Sequence, residues 1–209
     1  MAKKIALVSI PITNKIEKVK YQAVKYQVVG NSQIQYEGEA MFPISCVLAN
    51  VLQQDDDVKI VLIKEEQNGG LTQKYAQDFK DEITNINSKI GAKIEFVPLE
   101  RSYIETPDEH SKLLDAIAEQ IDDNAQIYAD ISYGSKPLPF IVFNVLTFAD
   151  KFLNCEIKNV VYGKYDYVNK KDHKIYDITS LYYLNSLNNT ITAKNSEDAR
   201  KILKSLLLL

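Results

Sequence analysis

Four nearly continuous apolar runs of strand length constrain this chain more than any other feature: "KIALVSI" (4–10), "VKIVLIK" (58–64), "AKIEFVPL" (92–99) and "AQIYADIS" (125–132). A strand solvated on one face alternates apolar with polar residues, whereas a strand covered on both faces does not need to. Longer amphipathic segments separate the runs, and this order predicts an α/β protein with an open, mainly parallel, Rossmann-like sheet flanked by helices. A fifth run, "CEIKNVVYG" (155–163), follows an apolar segment of helical length.

The intervening segments carry helix signals. "PISCVLANVLQQ" (43–54) begins at a proline and spaces its apolar residues for a helix. "GLTQKYAQDFKDEITNINSKIG" (70–91) has mixed charges on its outer face and a closing Gly91 suited to the left-handed conformation at a helix end. In "TPDEHSKLLDAIAEQIDD" (106–123), Thr106 caps, Pro107 takes the first position, and carboxylates face the positive end of the dipole.

Two stretches break the alternation. "KVKYQAVKYQVVGNSQIQYEGEAMF" (18–42) alternates tyrosine, valine and glutamine around "GNS" and predicts an inserted β-hairpin after the first strand. "YGKYDYVNKKDHKIYDITSLYYL" (162–184) reads as two aromatic-rich strands around a polar turn, a C-terminal antiparallel extension in which Tyr162, Tyr165, Tyr167, Tyr182 and Tyr183 pack at the sheet edge. Asp55 to Asp57 reads as a solvated turn. "NSEDARKILKSLLLL" (195–209) has a capping residue and an acidic first turn, so it predicts a helix. The organisation expected is one domain over 1–190 and a C-terminal helical segment over 191–209, which either packs in a dimer or leads into a further domain.

Composition narrows the function classes. The longest apolar run, "PLPFIVFNVLTFA" (137–149), is shorter than the ~20 residues a membrane span needs, so no transmembrane helix is expected. The N-terminus lacks a small-residue cleavage site and reads as the first strand of a cytoplasmic protein. A net charge of −3 argues against non-specific binding of duplex nucleic acid, yet leaves room for a locally positive pocket. Cys46 and Cys155 read as small core residues. With only His110 and His173, and no metal-binding spacing, neither a metal site nor a cofactor is expected.

The segment "DISYGSKPLPF" (130–140) carries the chemistry. Ligands of open α/β sheets collect outside the carboxyl ends of the strands, where loops lead into helix N-termini. Alternation puts Ile127, Ala129 and Ile131 on one face and Tyr128, Asp130 and Ser132 on the other. Gly134 then permits a sharp turn or close ligand approach, and Pro137 suits the first helical position, leaving Ser135 and Lys136 at the helix start. Backbone amides, a hydroxyl and a lysine at the positive end of a dipole can hold a phosphate; the same polar residues can instead satisfy their own loop. The spacing fits neither a Walker motif nor GxGxxG.

"DISYGSKPLPF", its apolar helix and then "IKNVVYGKYD" resemble the Asp-Ile-Thr-His-Gly-x-Arg-x-x-Pro signature and following "YYGA" strand of CRISPR-associated Rossmann-fold (CARF) proteins. The tyrosine-rich segment after the first strand, "MFPISCVLANVL" and "VKIVLIKEE" occur in the same order, so the resemblance covers the chain to about residue 190. Two positions depart from the commoner pattern: Tyr133 stands where histidine is frequent, and Lys136 where arginine is frequent, and lysine lacks arginine's bidentate fork.

The resemblance implies a sensor for cyclic oligoadenylate, the second messenger of type III CRISPR antiviral defence. It further implies a homodimer that grips one ring, most simply cyclic tetra-adenylate, across its two-fold axis to control an effector domain or partner. The residues implied at the ligand are Ser9, Ile10, Thr13 and Asn14 from the first strand's end, Ile63, Lys64 and Glu65 from its neighbour, and Asp130, Ser132, Tyr133, Gly134, Ser135, Lys136 and Pro137 from the signature. The alternative it implies is a metal-independent ring nuclease, in which a ribose 2′-hydroxyl attacks the adjacent phosphate, Ser9 orients the ribose and Lys136 stabilises the developing charge. An unrelated Rossmann-like domain for another nucleotide, or for protein contacts, is the third reading.

Overall fold

A computed structural model describes residues 3–12, 22–66, 71–102, 104–166, 171–188, 190 and 192–206. Its strands are β1 (Lys4–Ser9), β2 (Gln27–Val29), β3 (Asp57–Glu66), β4 (Lys93–Ser102), β5 (Gln126–Asp130), β6 (Glu156–Lys164) and β7 (Lys174–Asp177). Its helices are α1 (Pro43–Val51), α2 (Leu71–Asn87), α3 (Pro107–Ala118), α4 (Leu138–Phe152), α5 (Thr179–Asn188) and α6 (Ser196–Leu206). The strands form one seven-stranded sheet in the order β2-β7-β6-β5-β1-β3-β4. Every neighbouring pair is parallel except β6 with β7. The expected Rossmann-like α/β architecture is therefore present.

The continuous apolar runs form the middle of the sheet because each face has its own core. Ala6, Val8, Ile60 and Leu62 pack against α1 and α2 through Val47, Leu48, Phe79 and Ile83. Ile5, Leu7, Val61 and Ile127 pack on the other face against Leu113, Ile117, Val142 and Val145 of α3 and α4. Burying one such side chain contributes about 1.5–3 kcal/mol, so both helix layers are held by the same strands.

Local caps behave as their residues dictate. Thr106 Oγ1 accepts from the Glu109 amide at 3.3 Å and Asn195 Oδ1 from those of Glu197 and Asp198, relieving the unpaired donors of α3 and α6. Gly91, at φ +87°, turns the chain after α2. Both cysteines are buried and unpaired. Among the described residues, no helix is long and apolar enough to cross a membrane.

Three expectations are revised. The described part of 18–42 closes through a single antiparallel bridge, Val24 to Ala40, while β2 leaves its anticipated partner and joins β7 in parallel. A 3-10 turn, Ser32–Ile34, replaces the second hairpin arm and buries Ile34 instead. Tyr182 and Tyr183 lie in α5, not on an edge strand, and Tyr182 is wholly buried with its hydroxyl donating to the Leu146 carbonyl. Tyr167 lies outside the described residues. Within the aspartate run Asp55 is exposed at φ 65°, but Asp56 is buried, pairing with Lys4 at 2.5 Å and accepting from the Gln53 amide.

Candidate functional site

The chain leaves β1 toward β3 on one side and returns to β5 on the other, so the crevice between the carboxyl ends of β1 and β5 is the topological switch point of the sheet. The 131–137 loop and the start of α4 stand there. Ser9 spans the crevice: its hydroxyl donates to the Asp130 carbonyl at 3.0 Å and accepts from the Tyr133 amide at 3.1 Å. Ser9 is fully buried, so the hydroxyl expected at a ribose is engaged in fastening the loop to β1.

Alternation along β5 directs Asp130 toward α1. Its Oδ1 accepts from the Ser132 amide at 2.8 Å and from the Ser132 hydroxyl, whose oxygen in turn accepts from the Gly163 amide at 2.7 Å. Gly163 is needed because a Cβ there would stand 2.1 Å from Pro43 Cγ at the first turn of α1. Asp130 Oδ2 is buried without a hydrogen-bond partner. Burial pushes the Asp130 carboxyl up to about 6, against the pull of the Ser132 bonds and the Ile44 amide. Asp130 and Ser132 thus form the floor of the site.

The loop then turns at Gly134, with φ +94°, a conformation that a side chain would strain. A Cβ at this position would also meet Leu138 Cδ2 at 2.3 Å and Glu65 Oε2 at 3.0 Å. Past it, the Ser135 amide and hydroxyl both donate to the Glu65 carboxylate, at 2.6 Å each. These are the donors the sequence offers to a phosphate. In the folded chain they hold an anion already, supplied by β3. Pro137 stands at the N-cap of α4, one position earlier than expected.

Lys136 is different: it is exposed and makes no hydrogen bond or ion pair among the described residues. Lys64 and Glu65 are adjacent in β3, so their side chains leave opposite faces. Glu65 reaches the loop ahead of α4, whereas Lys64 is buried on the opposite side, where it bonds Gln73 Oε1 of α2 at 2.7 Å and pairs with Glu100 of β4. Lys64 is accordingly a strand-to-helix tie. Ile10 and Ile63 are core side chains, 0% and 1% exposed, and the Ile10 amide donates to the Ile63 carbonyl at 3.0 Å. Their apolar side chains belong to the two cores, Ile10 on the α1 side and Ile63 on the α4 side. Thr13 and Asn14 lie outside the described residues.

Glu82 carries a role that local sequence does not advertise. From α2 it accepts the Met41 and Phe42 amides, at 2.5 and 3.2 Å, ahead of α1, whose N-cap Phe42 has no side-chain oxygen. Burial raises its pKa, opposed by the nearby Ser45 hydroxyl and by the bonds from the Met41 and Phe42 amides. The starts of α1 and α4 both stand at this end of the sheet, and the amides ahead of each meet a carboxylate from elsewhere in the chain.

Tyr133, half-buried, packs edge-on against Phe42 with ring centroids 6.4 Å apart. Ser132, Tyr133, Gly134, Ser135, Lys136 and Pro137 therefore form one loop resting on β1, β3, β6 and α1, with Lys136 as its projecting cation. Among the described residues, no three His, Cys, Asp or Glu side chains are grouped to hold a metal ion. No protein-family model and no curated protein matches the chain.

Proposed function

We propose that this chain is a CARF-type sensor of cyclic oligoadenylate, most simply cyclic tetra-adenylate, acting in type III CRISPR defence and binding one ring across a homodimer. The observation that carries the reading is Lys136, exposed and unpaired at the N-terminus of α4 and at the switch point of the sheet. A cation placed over a helix N-terminus attracts a phosphodiester through both its own charge and the dipole.

The second copy has a natural place. α4 leaves the site directly and exposes Phe140, Phe148 and Phe152, at 73%, 40% and 72%, on one helical face. A two-fold axis beside the loop sets α4 against α4 and covers these rings. Effector control then follows from closing two Lys136 side chains on one ring.

The test is calorimetry with cyclic tetra-adenylate and cyclic hexa-adenylate, with chromatography of the ring from the same samples. Tight binding of an intact ring is expected, and Lys136→Ala should weaken it about 10- to 100-fold, the worth of one charge-assisted contact. Linear products would make the protein a ring nuclease. Absence of binding to both rings would remove the sensor reading, and unchanged affinity in Lys136→Ala would remove Lys136 from it.

A further inference from the structure

A second recess lies on the α1 face of the sheet toward the amino ends of β5 and β6, away from the Lys136 loop. It has a volume of about 460 Å³ and is lined by Asn31, Gln33, Asn50, Tyr128, Lys158 and Asn159, among others. That volume lies within the range of about 300–1,000 Å³ typical of small-molecule sites.

A β-bulge builds its wall. Ile127 pairs with Ile157 and Tyr128 with Asn159, so β6 carries one extra residue, Lys158, opposite β5. Ile157 and Val160, three positions apart, both pack in the α4-side core. The bulge therefore turns Lys158 and Asn159 together toward the α1 side. Bulges are rare between parallel strands and often re-aim side chains beside functional sites.

The lining groups have unmatched capacity. Tyr128 is 4% exposed, yet its hydroxyl makes no hydrogen bond to the protein. Burial pushes this phenol up to about 12, so it stands protonated as a donor at neutral pH. The Asn50 amide nitrogen donates to the Cys46 carbonyl at 2.8 Å and that of Asn159 to the Asp177 carboxylate at 3.0 Å. Both partners can only accept, which fixes the amide orientation and leaves each Oδ1 free to accept from a ligand. The Gln33 carboxamide is also without a partner.

Among the described residues, no free cation faces the recess. Lys158 pairs with Glu156 at 2.6 Å, the buried Lys4 donates to the Val51 carbonyl and pairs with the buried Asp56, and the half-buried Asp177 takes the amides of Asn31 and Asn159. Amide oxygens, one phenol and one carboxamide without a free cation suit hydroxyl groups and disfavour phosphate. We propose that this recess binds a neutral, hydroxyl-bearing small molecule of nucleoside or monosaccharide size, independently of the oligoadenylate reading.

The test uses the full chain with adenosine and with glucose as separate probes, read by ligand-observed NMR and by calorimetry at millimolar concentration. One of the two should bind, which identifies the source of the hydroxyls. Tyr128→Phe should weaken it about tenfold, as should Asn50→Ala on the exposed side, while Lys136→Ala should leave it unchanged. Thermal unfolding of each variant establishes that it is folded. Absence of binding by both probes overturns the proposal, as does affinity unmoved by Tyr128→Phe and Asn50→Ala. Binding of inorganic phosphate or putrescine in place of both probes overturns the assigned ligand class.

Discussion

Asp130 and Tyr128 lie two residues apart on β5 and share a face of the sheet, yet they belong to opposite kinds of surroundings. Around Asp130, almost every polar group is engaged within the fold: Ser9 with the loop, Ser132 with Gly163, Ser135 with Glu65. Around Tyr128, a phenol, a carboxamide and two amide oxygens have no protein partner. The carboxyl end is organised in advance by its own hydrogen bonds and offers a ligand chiefly Lys136. The amino end leaves its capacity open. A phosphate approaching the first must compete with Glu65, whereas a hydroxyl approaching the second displaces only water.

That contrast breaks most visibly through the internal carboxylates. Glu82→Ala strands the Met41 and Phe42 amides ahead of α1 and should cost about 3 kcal/mol of stability, measured by urea unfolding. A loss below about 0.5 kcal/mol, the level of an ordinary surface change, would show that these amides find water instead.

Asp130 sharpens it through pH. Its folded pKa is raised from 3.8 to about 6, so between those values the folded state binds more protons than the unfolded chain. Its contribution to stability is therefore fully present below pH 3.8 and lost as pH rises through about 6. The shift corresponds to roughly 3 kcal/mol. Asp130→Asn should flatten this part of the profile, followed by denaturant titration at each pH; an unchanged slope would assign it to other groups.

Glu65→Gln tests the competition directly. Glutamine keeps an acceptor for Ser135 but removes the resident charge, so cyclic tetra-adenylate should bind about tenfold more tightly, read by calorimetry. Weaker binding would make Glu65 a ligand contact.

The smallest effects compare the two ends as hydroxyl deletions. Ser9→Ala removes a group with two bonds and should cost about 1–2 kcal/mol of stability, whereas Tyr128→Phe should stay within about 0.5 kcal/mol because no protein group loses a partner. Equal losses in thermal or urea unfolding would erase the distinction drawn between the two regions.

Much of this architecture is legible from residue order. Two-sided burial makes the central strands read as unbroken apolar runs, and Thr106 and Asn195 act on amides two or three residues away, so local pattern is sufficient for both. The loop from Asp130 to Pro137 is likewise visible as a strand, a glycine turn and a helix start. Where reading went astray, the competing partner was distant. "LYYL" has aromatic content suited to a strand, but docking of Tyr182 into the α4-side core makes it helical. The hairpin pattern in 18–42 yields to the open edge of β7, which offers β2 a ladder of its own.

The sequence by itself determined the α/β class, the order of the central strands and helices, the caps, and the position of a polar loop at a strand end, since each depends on periodicity or on neighbours along the chain. Only the tertiary structure decided who occupies that loop. Glu65 lies 70 residues from Ser135, and Glu82 about 40 from the amides it receives, so no local rule connects them. The bulge that turns Lys158 and Asn159 to one side was equally hidden, because a single extra residue shows only when β6 is laid against β5. Hydrogen-bond satisfaction is a property of the packed chain, and it left Lys136 projecting at one end of the sheet and Tyr128 without a partner at the other.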